Sequence, residues 1–281
     1  FVLAMLIMVL QLLISPKLVE LTMRVRYVTR KEYPRLFQMV EGMAMTAGIP
    51  APRIGISQID LPNAFAFGTS VRDGRICVTK GLLELLSDDE LKAVLGHELS
   101  HLKSRDVVTI SVLSVIPLAM YFIYLQFAYG FRRSERGSNT ALIGMAALML
   151  YFLTNLLVLY GSRIREYFAD QGSVKLGNRP SSLASALYKL VYGAARIDRE
   201  ALQGVEGLKA FFASDPSRAL QEFRELKSLD RDRSGTIEPS ELEAVRTKAV
   251  NLGLAEKMLE LYSTHPNMVK RIKQLSQYQF L

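Results

Sequence analysis

The chain has 281 residues, a formal net charge of +8, a pI near 9.5, 49% hydrophobic residues and a mean hydropathy of +0.16. A single cysteine, Cys77, excludes an internal disulfide framework. The basic residues form no stripe interleaved with aromatics, which argues against nucleic acid as the partner.

The apolar excess is local. Phe1 to Ser15 opens the chain as the tail of a membrane helix, closed by Pro16 and Lys17. Tyr33 to Gly48 has helical spacing. From Arg53 to Lys80 the pattern changes to short β-like runs, Ile54-Gly55-Ile56, Ala64-Phe65-Ala66-Phe67 and Ile76-Cys77-Val78. Asp73-Gly74 signals a hairpin turn between the last two, and Cys77 is expected as a buried strand thiol. Ser87-Asp88-Asp89-Glu90 carries a serine N-cap with glutamate three residues on, so a helix is predicted from Asp88 to Lys103.

Two further apolar segments follow, Val107 to Phe127 and Ala141 to Tyr160. Each has about 20 residues without a charge, enough to cross a hydrocarbon core of roughly 30 Å. Pro117 is tolerable in such a helix where neighbours satisfy the freed backbone groups. The short polar stretch Gly130 to Asn139 makes the pair an antiparallel hairpin. Basic residues flank the three segments: Lys17, Arg24, Arg26, Arg30 and Lys31 after the first, Lys103 and Arg105 before the second, Arg163 and Arg165 after the third. Anionic lipid headgroups account for that pattern. Pro180 to Ala195, Ser217 to Leu229 and Pro239 to Leu252 also read as helices.

The capped helix carries Gly96-His97-Glu98-Leu99-Ser100-His101, which holds two of the three histidines in the chain. Positions i and i+4 share a helix face, so the two imidazoles can close on one zinc ion. Zinc lowers the pKa of a bound water toward about 7, and Glu98 is placed to take the proton. A catalytic zinc needs a third protein ligand and one open position. Glu166 is the best candidate. His101 lies six residues before one membrane segment and Glu166 six after the next, so an antiparallel hairpin returns both to one side, roughly 9 Å beyond the helix ends. Asp170, one turn after Glu166, is suited to accept the free ring N–H of a ligating histidine.

Together with Pro62-Asn63-Ala64-Phe65-Ala66-Phe67-Gly68, Glu166-Tyr167-Phe168-Ala169-Asp170, and Ser263-Thr264-His265-Pro266 followed by Arg271-Ile272, this helix makes the chain resemble the HtpX-type membrane metallopeptidases, relatives of the CAAX prenyl-protein proteases. The resemblance implies a mainly α fold with a small β-sheet, an α+β catalytic domain of the gluzincin type, and a transmembrane helical hairpin. It implies His97, His101 and Glu166 as zinc ligands, Glu98 as base and Asp170 as the residue orienting a ligand. Asn63 would lie on an edge strand that receives extended substrate, and His265 would stabilise the oxyanion.

One stretch departs from the family pattern. Asp230-Arg231-Asp232-Arg233-Ser234-Gly235-Thr236-Ile237-Glu238-Pro239-Ser240-Glu241 matches a twelve-residue EF-hand loop. Asp230, Asp232, Ser234, Thr236, Glu238 and Glu241 fall at the ligand positions, Gly235 at the sharp turn and Ile237 at the apolar eighth place. Phe223, Leu226 and Leu229 before it, and Leu242 and Val245 after it, supply the apolar faces of the flanking helices. Calcium is therefore a second expected ion, with the hypothesis that it orders residues 217–252 and moves the His265 segment.

The expected organisation is a membrane-helix end at 1–16, catalytic parts at 17–106, 162–216 and 253–281, the hairpin at 107–161 and the EF-hand-like insertion at 217–252. The expected function is an integral-membrane zinc endopeptidase acting on misfolded or membrane polypeptides. The alternative is a calcium-responsive membrane binding protein or pseudoenzyme with a structural zinc, which would need no base and would close its site with four ligands. Cleavage of prenylated peptides rests on the same motifs. The expected location is the plasma or inner membrane, multi-pass; basic residues crowd the catalytic side, which favours the cytoplasm, and the family resemblance implies a cytoplasmic active site. The hairpin loop, with Arg132, Arg133 and Arg136 against Glu135, pulls the other way.

Overall fold

The computed structural model describes residues 2–130, 137–195, 222, 226–247 and 253–278. Most of the expected helix Ser217–Leu229, residues 248–252 of the next, and residues 131–136 of the hairpin loop lie outside these.

The first helix, α1 (Val2–Thr22), runs on through Pro16 instead of ending there. Proline cannot bond the Leu12 carbonyl one turn back. The Ser15 hydroxyl lies 3.4 Å from that oxygen as an alternative donor. Four strands then form a mixed sheet in the order β1-β2-β4-β3: β1 (Val25–Tyr27), β2 (Arg53–Ser57), β3 (Ala64–Phe67) and β4 (Arg75–Thr79). β2 and β4 are parallel, while β1 and β3 pair antiparallel with their neighbours. Strand β1 was not expected; three residues with a central arginine give no period-two signal.

Asp73-Gly74 does not make a two-residue hairpin turn. A 3-10 turn (Val71–Asp73) lies between the strands, and Gly74 has φ −63°, outside the positive region that such a turn requires. The Asp73 carboxylate accepts instead from the Thr69 backbone N–H at 3.2 Å and its hydroxyl at 3.1 Å. Cys77 is buried in β4, and burial pushes its thiol up to about 12.

Helix α2 (Pro34–Ala47) packs its apolar face inward and ends at Gly48, whose φ of 69° gives the left-handed cap. After a short helix α3 (Lys80–Leu85) comes α4 (Asp88–Ser104), opened by Glu90 accepting from the Ser87 N–H at 2.8 Å. Arg105, at φ 55°, breaks the chain, and α5 (Asp106–Gly130) starts at once. Helix α6 (Gly137–Lys175) is 39 residues long, far beyond the apolar run expected at 141–160. Nothing after Tyr160 interrupts it until the positive-φ Gly177. Helices α1, α5 and α6 are each long and apolar enough to cross a membrane. At about 1.5 Å per residue, α6 also reaches well past a core of roughly 30 Å. Helices α7 (Pro180–Ala195), α8 (Pro239–Thr247), α9 (Leu254–Leu261) and α10 (Met268–Ser276) complete the described chain.

Helix α4 is the centre of the globular part, in contact with α2, α6, α7 and the edge strand β3. Its approach to α6 depends on small residues. A Cβ on Gly96 would meet Asn178 Nδ2 at 2.3 Å and Ser173 Oγ at 2.9 Å, and one on Gly172 would meet Ser100 Oγ at 2.2 Å. The Ser173 hydroxyl crosses the seam to the Ala93 carbonyl at 2.6 Å. Gly172→Ala should therefore destabilise the fold by about 1–3 kcal/mol, the usual penalty of overpacking. Thermal unfolding in detergent checks this, with Ser100→Gly in the same background expected to relieve the clash.

Candidate metal centre

Helix α4 presents His97, Glu98 and His101 from its buried side, and α6 brings Glu166 against them. The two Nε2 atoms lie 3.0 Å apart; His97 Nε2 is 3.6 Å from Glu166 Oε2, and His101 Nε2 is 3.4 Å from Glu166 Oε1. The rings meet edge to face at 85°. A tetrahedral ion with arms of about 2.0–2.2 Å has edges of roughly 3.3 Å, so the two ring nitrogens and the Glu166 carboxylate are spaced to suit a zinc ion.

The outer nitrogens explain why the inner ones converge. His97 Nδ1 is 2.8 Å from Asp170 Oδ1, and His101 Nδ1 is 2.6 Å from Asp106 Oδ2. Each ring thus has its own carboxylate, which fixes the ring and turns Nε2 inward. Burial alone would hold both imidazole pKa values down, but Asp170 and Glu166 at His97, and Glu166 at His101, outweigh it and raise them. At full ionisation the carboxylates of Glu98, Asp106, Glu166 and Asp170 face the guanidiniums of Arg165 and Arg271. Carboxylates outnumber guanidiniums here, a donor set that suits a cation.

Arg271, fully buried on α10, ties the shell together. Its Nε and Nη2 donate to the two oxygens of Asp170 at 2.9 and 2.6 Å, and its Nη1 is 3.0 Å from Glu166 Oε2. Burial opposes its charge, but Asp170 and Glu166 hold the guanidinium protonated above its ordinary value. His265 Nδ1 stands 3.3 Å from the same Glu166 oxygen. Glu166 Oε2, His265 Nδ1 and Arg271 Nη1 are buried without an aligned hydrogen bond, so donor capacity and acceptor capacity converge on one point. Burial pushes the Glu98 carboxyl up, while the histidines and the Ala66 backbone act in the opposite direction.

His97, Glu98, His101, Glu166, Asp170 and His265 thus come together. Asn63 sits at the start of edge strand β3, fully buried, with its backbone N–H donating to Thr79 Oγ1 at 2.8 Å. Asp106 and Arg271 were missed as site residues. Arg271 had a signal: it stands among Met268, Ile272 and Leu275 in an apolar stripe, where a charge needs a buried partner. Asp106 had none, because five residues from His101 is off the helix face. Only the left-handed turn at Arg105 brings it round. Arg165 also contacts Asp106 from α6.

The second group is the 230–241 loop. One oxygen each of Asp230, Asp232 and Glu241 lie within 4.8 Å of one another. Gly235 has φ 81°, and its N–H donates to Asp230 Oδ2 at 3.1 Å. Ile237 is buried, with its N–H and carbonyl both bonded to the Ser185 hydroxyl of α7 at 2.7 and 3.0 Å. Tyr188 of α7 donates to Asp230 Oδ2 at 3.1 Å.

Residues 30–279 match the description Peptidase family M48. A protease HtpX homolog of Methanothermobacter thermautotrophicus is 50% identical over 202 residues, covering 71% of this chain and 76% of that protein. Protease HtpX homolog 2 of Methanosarcina acetivorans is 32% identical over 269 residues, covering 94% and 79%. The crystal structure of S. mikatae Ste24p is similar with a TM-score of 0.55 at 17% identity, which speaks to the fold alone. It covers 98% of this chain, which spans 57% of that one.

Removing Arg271 would leave two buried carboxylates uncompensated. Arg271→Ala should cost about 3–5 kcal/mol of stability, read as a lowered unfolding temperature. Arg271→Lys should recover only part of that, because a single ammonium cannot reproduce the fork.

Proposed function

The chain belongs to peptidase family M48, and we propose that His97, His101 and Glu166 hold its zinc while Glu98 is the general base. It is an HtpX-type membrane metallopeptidase, a hydrolase of peptide bonds. That sets aside the alternative of a binding protein with a structural zinc. The observation that carries the site assignment is the convergence of three donor atoms whose outer partners, Asp170 and Asp106, already orient the rings.

When bound, zinc supplies Lewis acidity, activating water and polarising the scissile carbonyl. The chain's own groups do the rest. An extended polypeptide adds to β3, the terminal strand in the order β1-β2-β4-β3, on its side toward α4. Asn63, buried at the start of that strand and bonded to Thr79 of β4, anchors the strand that receives the substrate. Glu98 takes a proton from the attacking water and returns it to the leaving amine. His265 is fixed by Glu166 through Nδ1, and its other nitrogen donates to the developing oxyanion. Arg271 keeps Glu166 ionised and in place. The substrates are misfolded or membrane polypeptides in this reading. In this reading the protein is multi-pass with its active site on the cytoplasmic side; the three apolar helices and the basic residues Lys103, Arg105, Arg163 and Arg165 near their ends support it. Glu98→Gln should lower kcat on an unfolded substrate by about 10²–10⁴-fold with zinc content unchanged. Equal activity of variant and wild type, both with zinc bound, would sink the protease assignment.

A second ion is favoured by one observation, the clustering of Asp230, Asp232 and Glu241 around the positive-φ Gly235. EF-hands normally pair through their eighth residues; here the Ser185 hydroxyl bonds both the N–H and the carbonyl of Ile237. Calcium at this loop would act through α8, which packs on α10 beside Arg271 and the His265 segment. In a calcium titration of proteolysis, wild type should change by roughly fivefold or more and Glu241→Gln should not respond. Identical titration curves for the two proteins would remove calcium from the account.

A further inference from the structure

From Lys257 onward, helix α9 turns apolar side chains outward and a carboxylate inward. Met258, Leu259, Leu261 and Tyr262 are exposed to 52%, 51%, 42% and 67%. At about 100° per residue Met258, Leu259 and Leu261 cover a continuous arc of roughly 160° on one face, and Tyr262 follows in the turn just past the helix end. Glu260 lies opposite the centre of that arc and is buried, accepting from the Asn267 N–H at 3.3 Å and paired with Lys270. A helix packed on a globular core turns its apolar stripe inward and its charges outward. Here the polar group faces the protein and the apolar face looks away from it.

The height of this helix is fixed by one buried arginine. Arg163 of α6 donates through Nη1 to the carbonyls of Glu260 at 2.8 Å, Leu261 at 3.2 Å and Ser263 at 2.8 Å, and so clamps the C-terminal end of α9. The same guanidinium stands 5.8 Å from the ring centroid of Tyr160, the last residue of the apolar run of α6. Helical side chains lean toward their own N-terminus, which for Arg163 is the apolar end of α6. The end of α9 is therefore level with Tyr160, an aromatic where a membrane-crossing helix leaves the hydrocarbon. Exposed Lys257 flanks the apolar arc, as a cation at the headgroup level does.

We propose that α9 is an interfacial helix, its face of Met258, Leu259, Leu261 and Tyr262 seated in the headgroup–acyl boundary of the bilayer that α6 crosses. Arg163 ties the end of α9 to α6 beside Tyr160, which puts the apolar face where α6 leaves the bilayer, and lipid is its occupant. The loop 263–266, with His265, is then held at the membrane surface. Scission consequently falls on chain that has just left the bilayer, or lies on it. This deepens the membrane-peptidase reading above and rests on α6 spanning the membrane.

The chain contains no tryptophan, so each single tryptophan variant reports alone. The full-length protein in liposomes is compared as Leu259→Trp, Tyr262→Trp, Phe152→Trp in the apolar run of α6, and Asp89→Trp on an exposed helix end. Lipids brominated near the headgroup end of their chains, and in a second set near the methyl end, are the quenchers for the shallow and deep positions. Leu259→Trp and Tyr262→Trp should emit to the blue of Asp89→Trp and lose about half their emission, at the depth of roughly 5–10 Å that interfacial helices reach. Emission like that of Asp89→Trp overturns the proposal, and so does blue emission that bromine does not touch, which would mean a protein partner on that face. Because Phe152→Trp reports separately on the span, its quenching alone would sink the interfacial helix and spare the membrane reading. Loss of quenching at Phe152→Trp would sink the spanning reading itself.

Discussion

The site depends on how closely two helix backbones approach. Helices α4 and α6 come from opposite sides of a long apolar hairpin, and their donors meet because Gly96 and Gly172 leave no side chain between them. The serines at the seam, Ser100 and Ser173, bond to backbone carbonyls in place of apolar contacts. With that approach set, Glu166 and Asp170, one turn apart, reach His97 and His101, one turn apart. Two parallel ladders of side chains interlock. Arg271 then closes the open side of the carboxylate ladder from α10, so three segments far apart in sequence share one charge network.

That network also shows what each ring costs and what offsets it. A histidine buried beside carboxylates is drawn toward its charged form, and a ligating ring must be neutral. Positive charge inserted between the rings resolves the conflict, since it replaces the protons that the carboxylates would otherwise favour. Arg271 and Arg165 prevent the opposite failure, an excess of buried negative charge. The balance leaves room for one divalent ion and little else.

Much of this was legible in the sequence, for identifiable reasons. Spacing of four places His97 over His101 whatever the fold, and an antiparallel hairpin must bring Glu166 back. The capping signal at Ser87 and Glu90 set the start of α4. What escaped depended on tertiary choices. Pro16 reads as a stop, yet α1 continues through it. Asp73-Gly74 reads as a tight turn, but the Asp73 side chain bonds back to Thr69 and widens the connection. Asp106 reads as a helix start, and only the left-handed residue before it makes it a partner of His101. Arg271 was visible as part of a motif but not as a role, because a charge in an apolar stripe reveals that it has a partner without saying which. The family resemblance supplied His265 and Asn63; neither would have been singled out from spacing.

Helix α6 is unbroken from Gly137 to Lys175 and contains no proline. Its apolar half and its Glu166 half therefore move as one lever. From the middle of the apolar run to Glu166 is about 24 Å, so a tilt of about 5° there displaces the carboxylate by roughly 2 Å. Metal ligation tolerates only about 0.2 Å. In the zinc site proposed above, the packing of α6 on α5, including Tyr121 against Tyr151 at 5.5 Å between ring centroids, would therefore help to set where Glu166 stands. Bilayer thickness, which helix tilt accommodates, would reach the proposed site by the same lever.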